Sequence, residues 1–244
     1  MRLSSRSLGS TVSARRRRAP EIALVALVAG LLTISIPLGC QSPAPQSLVE
    51  QGESALAEGR LERADALFQS ALAESPDDPR ALLGRARVLT ATDDPEGALG
   101  LYRQMAKVAP PYFRSQARPH YAHTLLAAGE LRLRRGQSRD ALAALRVLQK
   151  MNPTYKGLSR ALGQALAAEA SRAQMEGRTA DALTLYTETT HVAPQRVEYF
   201  IAATELLLAA GRNGEAKALL ARAREHHSDN RQIRALTLAA LGMY

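Results

Sequence analysis

The sequence contains no tryptophan, three phenylalanines and one cysteine in 244 residues, and aromatic side chains make up only 4% of it. The single cysteine, Cys40, excludes a disulfide framework within the chain and a cysteine-based zinc site. Scarce aromatics leave the core to Ala and Leu, because 46% of the residues are hydrophobic all the same. Ala and Leu stand high on the helix scale, whereas strands favour β-branched and aromatic residues, so the composition favours an all-α fold. Also missing are a Gly-rich phosphate loop, a Ser in a Gly-x-Ser-x-Gly elbow and a His-Glu-x-x-His pair. No catalytic residue, cofactor or enzymatic activity is expected.

The formal charge of +9 is unevenly spread. Residues 1–39 carry +5, residues 40–110 carry −4, residues 111–160 carry +8, and residues 161–244 carry none net. A basic leader and one basic central segment therefore account for the pI, and nucleic acid is not an expected partner.

What the chain does have is a spacing. Ala64, Ala98, Ala141, Ala182 and Ala216 each open a similar pattern. Five residues upstream stands a Gly in four cases (Gly59, Gly136, Gly177, Gly211). Four residues downstream stands a large apolar group: Phe68, Tyr102, Leu145, Tyr186 and Leu220. Pro76, Pro110, Pro153 and Pro194 follow the first four alanines by twelve residues. Ala64 to Ala98 and Ala182 to Ala216 are both 34 residues apart. A repeat of that length marks stacked helical hairpins.

Gly52, Gly59, Leu61, Ala64, Phe68, Ala71, Leu72 and Pro76 fall on the signature positions of one family, so the chain resembles a tetratricopeptide repeat (TPR) protein. The small alanines suit the close approach of two helices, and Gly59 suits a left-handed turn after the first. Repeats are expected at about 45–78, 79–112, 122–155, 163–196 and 197–230, with a capping helix over 231–242. The resemblance implies a right-handed TPR superhelix, an α-solenoid. Ser47 and Glu50 read as a capping box at its start, and Asp78-Pro79 and Asp94-Pro95 as helix starts.

Two intervals are too long. Pro110 to Pro153 spans 43 residues and Pro153 to Pro194 spans 41. The first excess predicts a separate turn or short helix over 111–118, interrupted by Pro119. The second predicts a longer first helix of repeat four, begun across 156–162.

The N-terminal 39 residues have the layout of a secretory signal: Arg15 to Arg18, then an uncharged apolar stretch over 22–38. As a helix that stretch would run about 25 Å at ~1.5 Å per residue, short of a ~30 Å hydrocarbon core. Pro37-Leu38-Gly39-Cys40 resembles a bacterial lipobox, with Pro where that family usually has Leu. The resemblance implies cleavage before a lipidated Cys40, a tether over 40–46, and a folded part over 47–244. Gln41 after the cysteine leans toward the outer membrane, facing the periplasm.

In the TPR family the concave groove is lined by fixed positions of the first helix of each repeat. Here these are Arg80, Leu83, Arg87 and Thr90, and then His123, Leu126, Glu130 and Leu133. Repeats four and five supply Gln164, Ala167, Ser171 and Gln174, and Glu198, Ile201, Glu205 and Leu208. The set lacks the Lys and Asn combination that clamps a C-terminal carboxylate. Its mix of apolar and charged groups suits an extended or helical peptide meeting Leu83, Leu126 and Ile201. Arg114, Arg118, Arg132, Arg134, Arg135, Arg139 and Arg146 form a sequence cluster that could dock an acidic partner, lipid headgroups or an anionic polymer, or be only a solvated face. His120 and His123 could meet on one helix face, but no nearby acid or cysteine completes a metal site. The expected function is a non-enzymatic, membrane-tethered scaffold assisting an envelope assembly such as a pilus, secretion or outer-membrane machine. The alternatives are a binding module for cell-wall or exported polysaccharide, which the absence of groove aromatics disfavours, and an accessory subunit of an envelope enzyme.

Overall fold

The computed structural model describes residues 47–242, and every described element is helical. The signal-peptide and Cys40 expectations lie outside the described residues. The elements run α1 (Leu48–Ala57), α2 (Leu61–Glu74), α3 (Pro79–Ala91), α4 (Pro95–Val108) and α5 (Pro110–Tyr112). A π-helical segment (Phe113–Ala117) leads into α6 (Arg118–Arg134) and α7 (Ser138–Met151). Then come α8 (Leu158–Met175), α9 (Thr179–Val192), α10 (Val197–Ala209), α11 (Asn213–His227) and α12 (Arg231–Leu241). Packing runs along the chain: each helix touches its successor in the stack, and first helices of consecutive repeats touch, as α1 does α3, α3 does α6 and α6 does α8. This is the α-solenoid that the spacing predicts.

The repeat residues do the packing. Ala64, Ala98, Ala141, Ala182 and Ala216 are all 0% exposed, so nothing larger fits where the paired helices cross. Gly59, Gly136, Gly177 and Gly211 all turn with φ between 71° and 76°. That left-handed conformation ends the first helix of each hairpin and costs glycine least. The core divides into four successive apolar clusters, so neighbouring hairpins bury each other.

Helix starts follow the sequence. The Ser47 hydroxyl accepts from the Glu50 N–H at 3.2 Å, and the Glu50 carboxylate accepts from the Ser47 N–H at 3.0 Å. Asp78 accepts from Arg80 N–H at 2.8 Å and Asp94 from Gly97 N–H at 3.0 Å, each ahead of a first-turn proline. α8 begins at Leu158 behind a left-handed Gly157 and is 18 residues long, which uses up the second excess interval. Asn230 caps α12, whose Ile233 is fully buried against the last hairpin.

Pro119 behaves differently from its expectation. It does not interrupt the segment before repeat three: helix continues from Pro110 to Arg134. The reason lies in the π turn over Phe113–Ala117, where the Arg118 N–H reaches back to the Phe113 carbonyl. A wider turn relieves the clash between a proline ring and the preceding turn, and a proline has no N–H to leave unpaired there. Tyr102, Phe113 and Tyr121 hold the segment against α4, with ring centroids 5.3 to 6.5 Å apart.

Candidate functional site

Half of the residues placed on the inner row are open to solvent. Arg80, Arg87, His123, Gln164, Ser171, Gln174, Glu198 and Glu205 are exposed. Leu126, Glu130, Leu133, Ala167, Ile201 and Leu208 are half-buried. Leu83 is different: it is only 9% exposed and belongs to the cluster of Tyr102 and Ala117, with Tyr112 and Phe113 packed against it. The inserted segment brings in aromatics that a strict repeat would not supply, and Leu83 is core rather than groove.

Several row residues have partners across the stack. Arg80 pairs with Glu53 at 3.3 Å and Glu130 with Arg160 at 2.7 Å. Ser171 shares a hydrogen bond with the Tyr186 hydroxyl at 2.8 Å. Glu198, by contrast, pairs locally with Arg196, two residues before it.

The arginine cluster of the central segment does not form one surface. Arg118 opens α6 and Arg134 closes it, which at ~1.5 Å per residue puts them roughly 25 Å apart. Arg132 is committed elsewhere: it makes two bonds to the Glu96 carboxylate, at 2.7 and 2.8 Å, and a third to the Asp140 carbonyl at 3.0 Å. Arg134 pairs with Asp93, Arg139 with Glu169 and Arg146 with Glu188. Arg114, Arg118 and Arg135 are exposed and have no ion-pair partner among the described residues. A long-range pairing pattern is invisible in a linear run of like charges, which is why the run looks more available than it is.

Glu169 is the one buried charged residue among the described residues. It accepts from the Ser138 hydroxyl at 2.8 Å, from Arg139 at 3.3 Å and from Arg172 at 2.6 Å. Burial alone would raise its pKa, but the hydrogen bonds from Arg172 and Ser138 outweigh it and hold the carboxyl below its usual range. With Arg139, Arg146, Arg178 and Asp181 it lines a cavity of about 440 Å³ between α7 and α9, where cations and acids are interleaved.

A smaller cavity, about 260 Å³, opens between α3 and α6 on the side of the inner row. Leu56, Arg87, Thr90, Ala91, Tyr102, His120, His123 and Thr124 line it, and none of them is an acid. Thr90 and Thr124 share a hydrogen bond at 2.8 Å, and the Thr124 hydroxyl lies 3.1 Å from the His120 carbonyl. Tyr102 is 1% exposed, and its hydroxyl, although close to Thr124, makes no hydrogen bond of good geometry among the described residues. Burial pushes that hydroxyl up to about 12; Thr124 beside it and Arg87 offset only part of the effect. His120 is held below its ordinary value, first by burial and then by the charges of Arg87 and His123. The two histidines thus share one wall, as their spacing suggests, and Arg87 faces them from α3. The Tyr102 hydroxyl was not foreseeable as part of a site, because position and residue type mark it as core.

Comparison with known proteins agrees with this architecture. The tetratricopeptide repeat family model matches residues 55–117 and 173–241. The unmatched stretch between them begins just after the π segment and runs from the start of α6 through most of α8. Among solved structures, a TPR repeats protein from Bacteroides fragilis aligns with a TM-score of 0.59 at 12% identity, covering 81% of this chain and 97% of that one. YrrB, titled a TPR protein with an unusual peptide-binding site, aligns at 0.43 and 18% identity, over 80% of this chain and 90% of its own. MamA aligns at 0.42 and 15% identity, over 74% and 90%. A comparison with curated proteins finds no match. With its family model spanning more than half of the sequence, and alanine, glycine and aromatic positions packed as hairpins, the chain belongs to the tetratricopeptide repeat family.

Proposed function

We propose that this protein is a non-enzymatic scaffold that holds another polypeptide along its inner groove. It would be tethered through a lipid on Cys40 to a bacterial envelope membrane, with the outer membrane, periplasmic side, as its address. Its task would be to assist assembly of an envelope machine such as a pilus, a secretion system or an outer-membrane complex. One observation carries the binding part: Leu126, Leu133, Ile201 and Leu208 lie half-buried in the row, each flanked by polar groups. Such a stripe offers apolar contact to an extended or helical segment while the rim stays wet. The tether rests on the sequence alone, through the basic block, the apolar stretch and the lone cysteine at its end.

The test is crosslinking in membranes from cells expressing the full chain, its Ile201→Glu variant and its Cys40→Ala variant. Captured envelope proteins should be lost with Ile201→Glu, and the chain should leave the membrane fraction with Cys40→Ala. Capture that is unchanged by Ile201→Glu would sink the groove reading, and unchanged membrane association would sink the tether.

A further inference from the structure

The cavity between α3 and α6 has three features that an apolar peptide stripe does not need. It collects one permanent cation, Arg87, and two imidazoles, with no acid in its lining. It holds a phenol hydroxyl that is fully buried and donates to nothing. A buried hydroxyl left without a partner is destabilising, a cost that a ligand acceptor would remove. The rest of its wall is Leu56 and Ala91 together with Thr90 and Thr124, whose hydroxyls bond to each other.

We infer that this cavity is a subsite for a glutamate side chain of the bound polypeptide. The carboxylate would pair with Arg87 and accept from the Tyr102 hydroxyl and a His120 or His123 ring N–H, while the methylenes lie against Leu56 and Ala91. The charge count favours a carboxylate over a phosphate. Arg87 is the only Lys or Arg in the lining and His120 is held toward its neutral form, so a monoanion matches the permanent charge of the wall. The elements around the pocket contribute no other titratable group to the lining: α1 gives Leu56, α3 Arg87, α4 Tyr102, and α6 the two histidines. The π segment makes the site possible, because it joins α5 to α6 without a break and so carries His120 and Tyr121 onto α4. The inference deepens the groove reading and rests on it.

The experiment titrates N-acetylglutamate N-methylamide into the full chain and follows the His120 and His123 ring resonances by NMR. N-acetylglutamine N-methylamide, which is neutral, and N-acetylalanine, which offers only a terminal carboxylate, are the controls. The glutamate probe should shift both histidines saturably, and each control should bind at least fivefold more weakly. Arg87→Gln and Tyr102→Phe should each weaken the probe at least threefold. Tyr102→Phe should leave the unfolding midpoint unchanged or higher, because it removes a hydroxyl that has no partner. No saturable shift, equal binding of either control, or indifference to both substitutions overturns the subsite. Because the probe needs no partner protein, a failure here beside successful, Ile201-dependent capture removes the subsite and leaves the groove.

Discussion

Asp93 occupies, five residues before Ala98, the left-handed turn that Gly59 occupies five residues before Ala64, with φ of 60° against 73°. It is the only non-glycine with positive φ among the described residues. Its one ion pair, to Arg134 at 3.4 Å, is exposed at both ends and adds little. Asp tolerates this conformation better than most residues but still pays a steric penalty that Gly does not. Asp93→Gly is therefore expected to stabilise the fold by about 0.5 kcal/mol, after the added freedom of the unfolded chain is offset. Gly177→Ala, where a Cβ would meet nothing within 4 Å, should cost about 1 kcal/mol from backbone strain alone. Urea unfolding of the two variants measures both, and the opposite sign for Asp93→Gly would show that its side chain matters more than its backbone.

The Phe68 ring is fully buried between two glycines. A Cβ on Gly84 of the next repeat would lie 2.3 Å from that ring, and one on Gly52 of its own hairpin 2.8 Å from it. Gly84→Ala should thus destabilise by about 1–3 kcal/mol by forcing the ring out of a close-packed site. Combining it with Phe68→Leu should cost less than the sum of the two single changes, since the smaller side chain vacates the contact. A double-mutant cycle in urea tests the coupling; strict additivity would mean that the ring does not hold the two hairpins together.

Glu169 ties α8 to α7, bonding to Ser138 and Arg139 across the gap and to Arg172 on its own helix. Its folded pKa lies below its unfolded value of 4.5, so the folded state binds its proton less readily than the unfolded state. Its stabilisation is therefore complete above 4.5 and is lost as pH falls through the folded value. Glu169→Gln should cost about 1–2 kcal/mol at neutral pH and should flatten the decline of stability in acid. Unfolding midpoints collected between pH 7 and 3 decide this, and parallel curves for the two proteins would contradict it.

The sequence discloses the parts of the fold set by local sterics. Gly177, Ala182 and Tyr186 repeat the order of Gly59, Ala64 and Phe68 because each hairpin meets the same turn and the same close crossing. The capping oxygens of Ser47, Asp78 and Asp94 are legible for the same reason: they bond to neighbours two or three residues away. The path of the chain through Pro119 is not legible. A proline predicts an interruption, and only packing of Phe113 and Tyr121 on Tyr102 decides for a π turn instead. A hint existed in the crowding of Tyr112, Phe113 and Tyr121 in a chain with 4% aromatics. The fate of Arg132 and of Leu83 was hidden for a similar reason, since Glu96 lies 36 residues from Arg132 and Leu83 is covered by an insertion.

His120 gives a pH signature of the pocket. Burial lowers its pKa most, and the charges of Arg87 and His123 lower it further. Its folded value lies below the unfolded 6.5, so the unfolded chain takes up the proton first and stability falls as pH drops through 6.5 toward the folded value. In His120→Gln that part of the acid sensitivity should vanish, while the part due to Glu169, which sets in only below 4.5, should persist. In Arg87→Gln the His120 ring should titrate at higher pH than in the unaltered chain, because a repelling charge is gone. NMR titration of the ring resonance reads the shift directly. A midpoint that stays put in Arg87→Gln would mean that Arg87 points away from the imidazole, and it would remove the cation from the pocket wall as well.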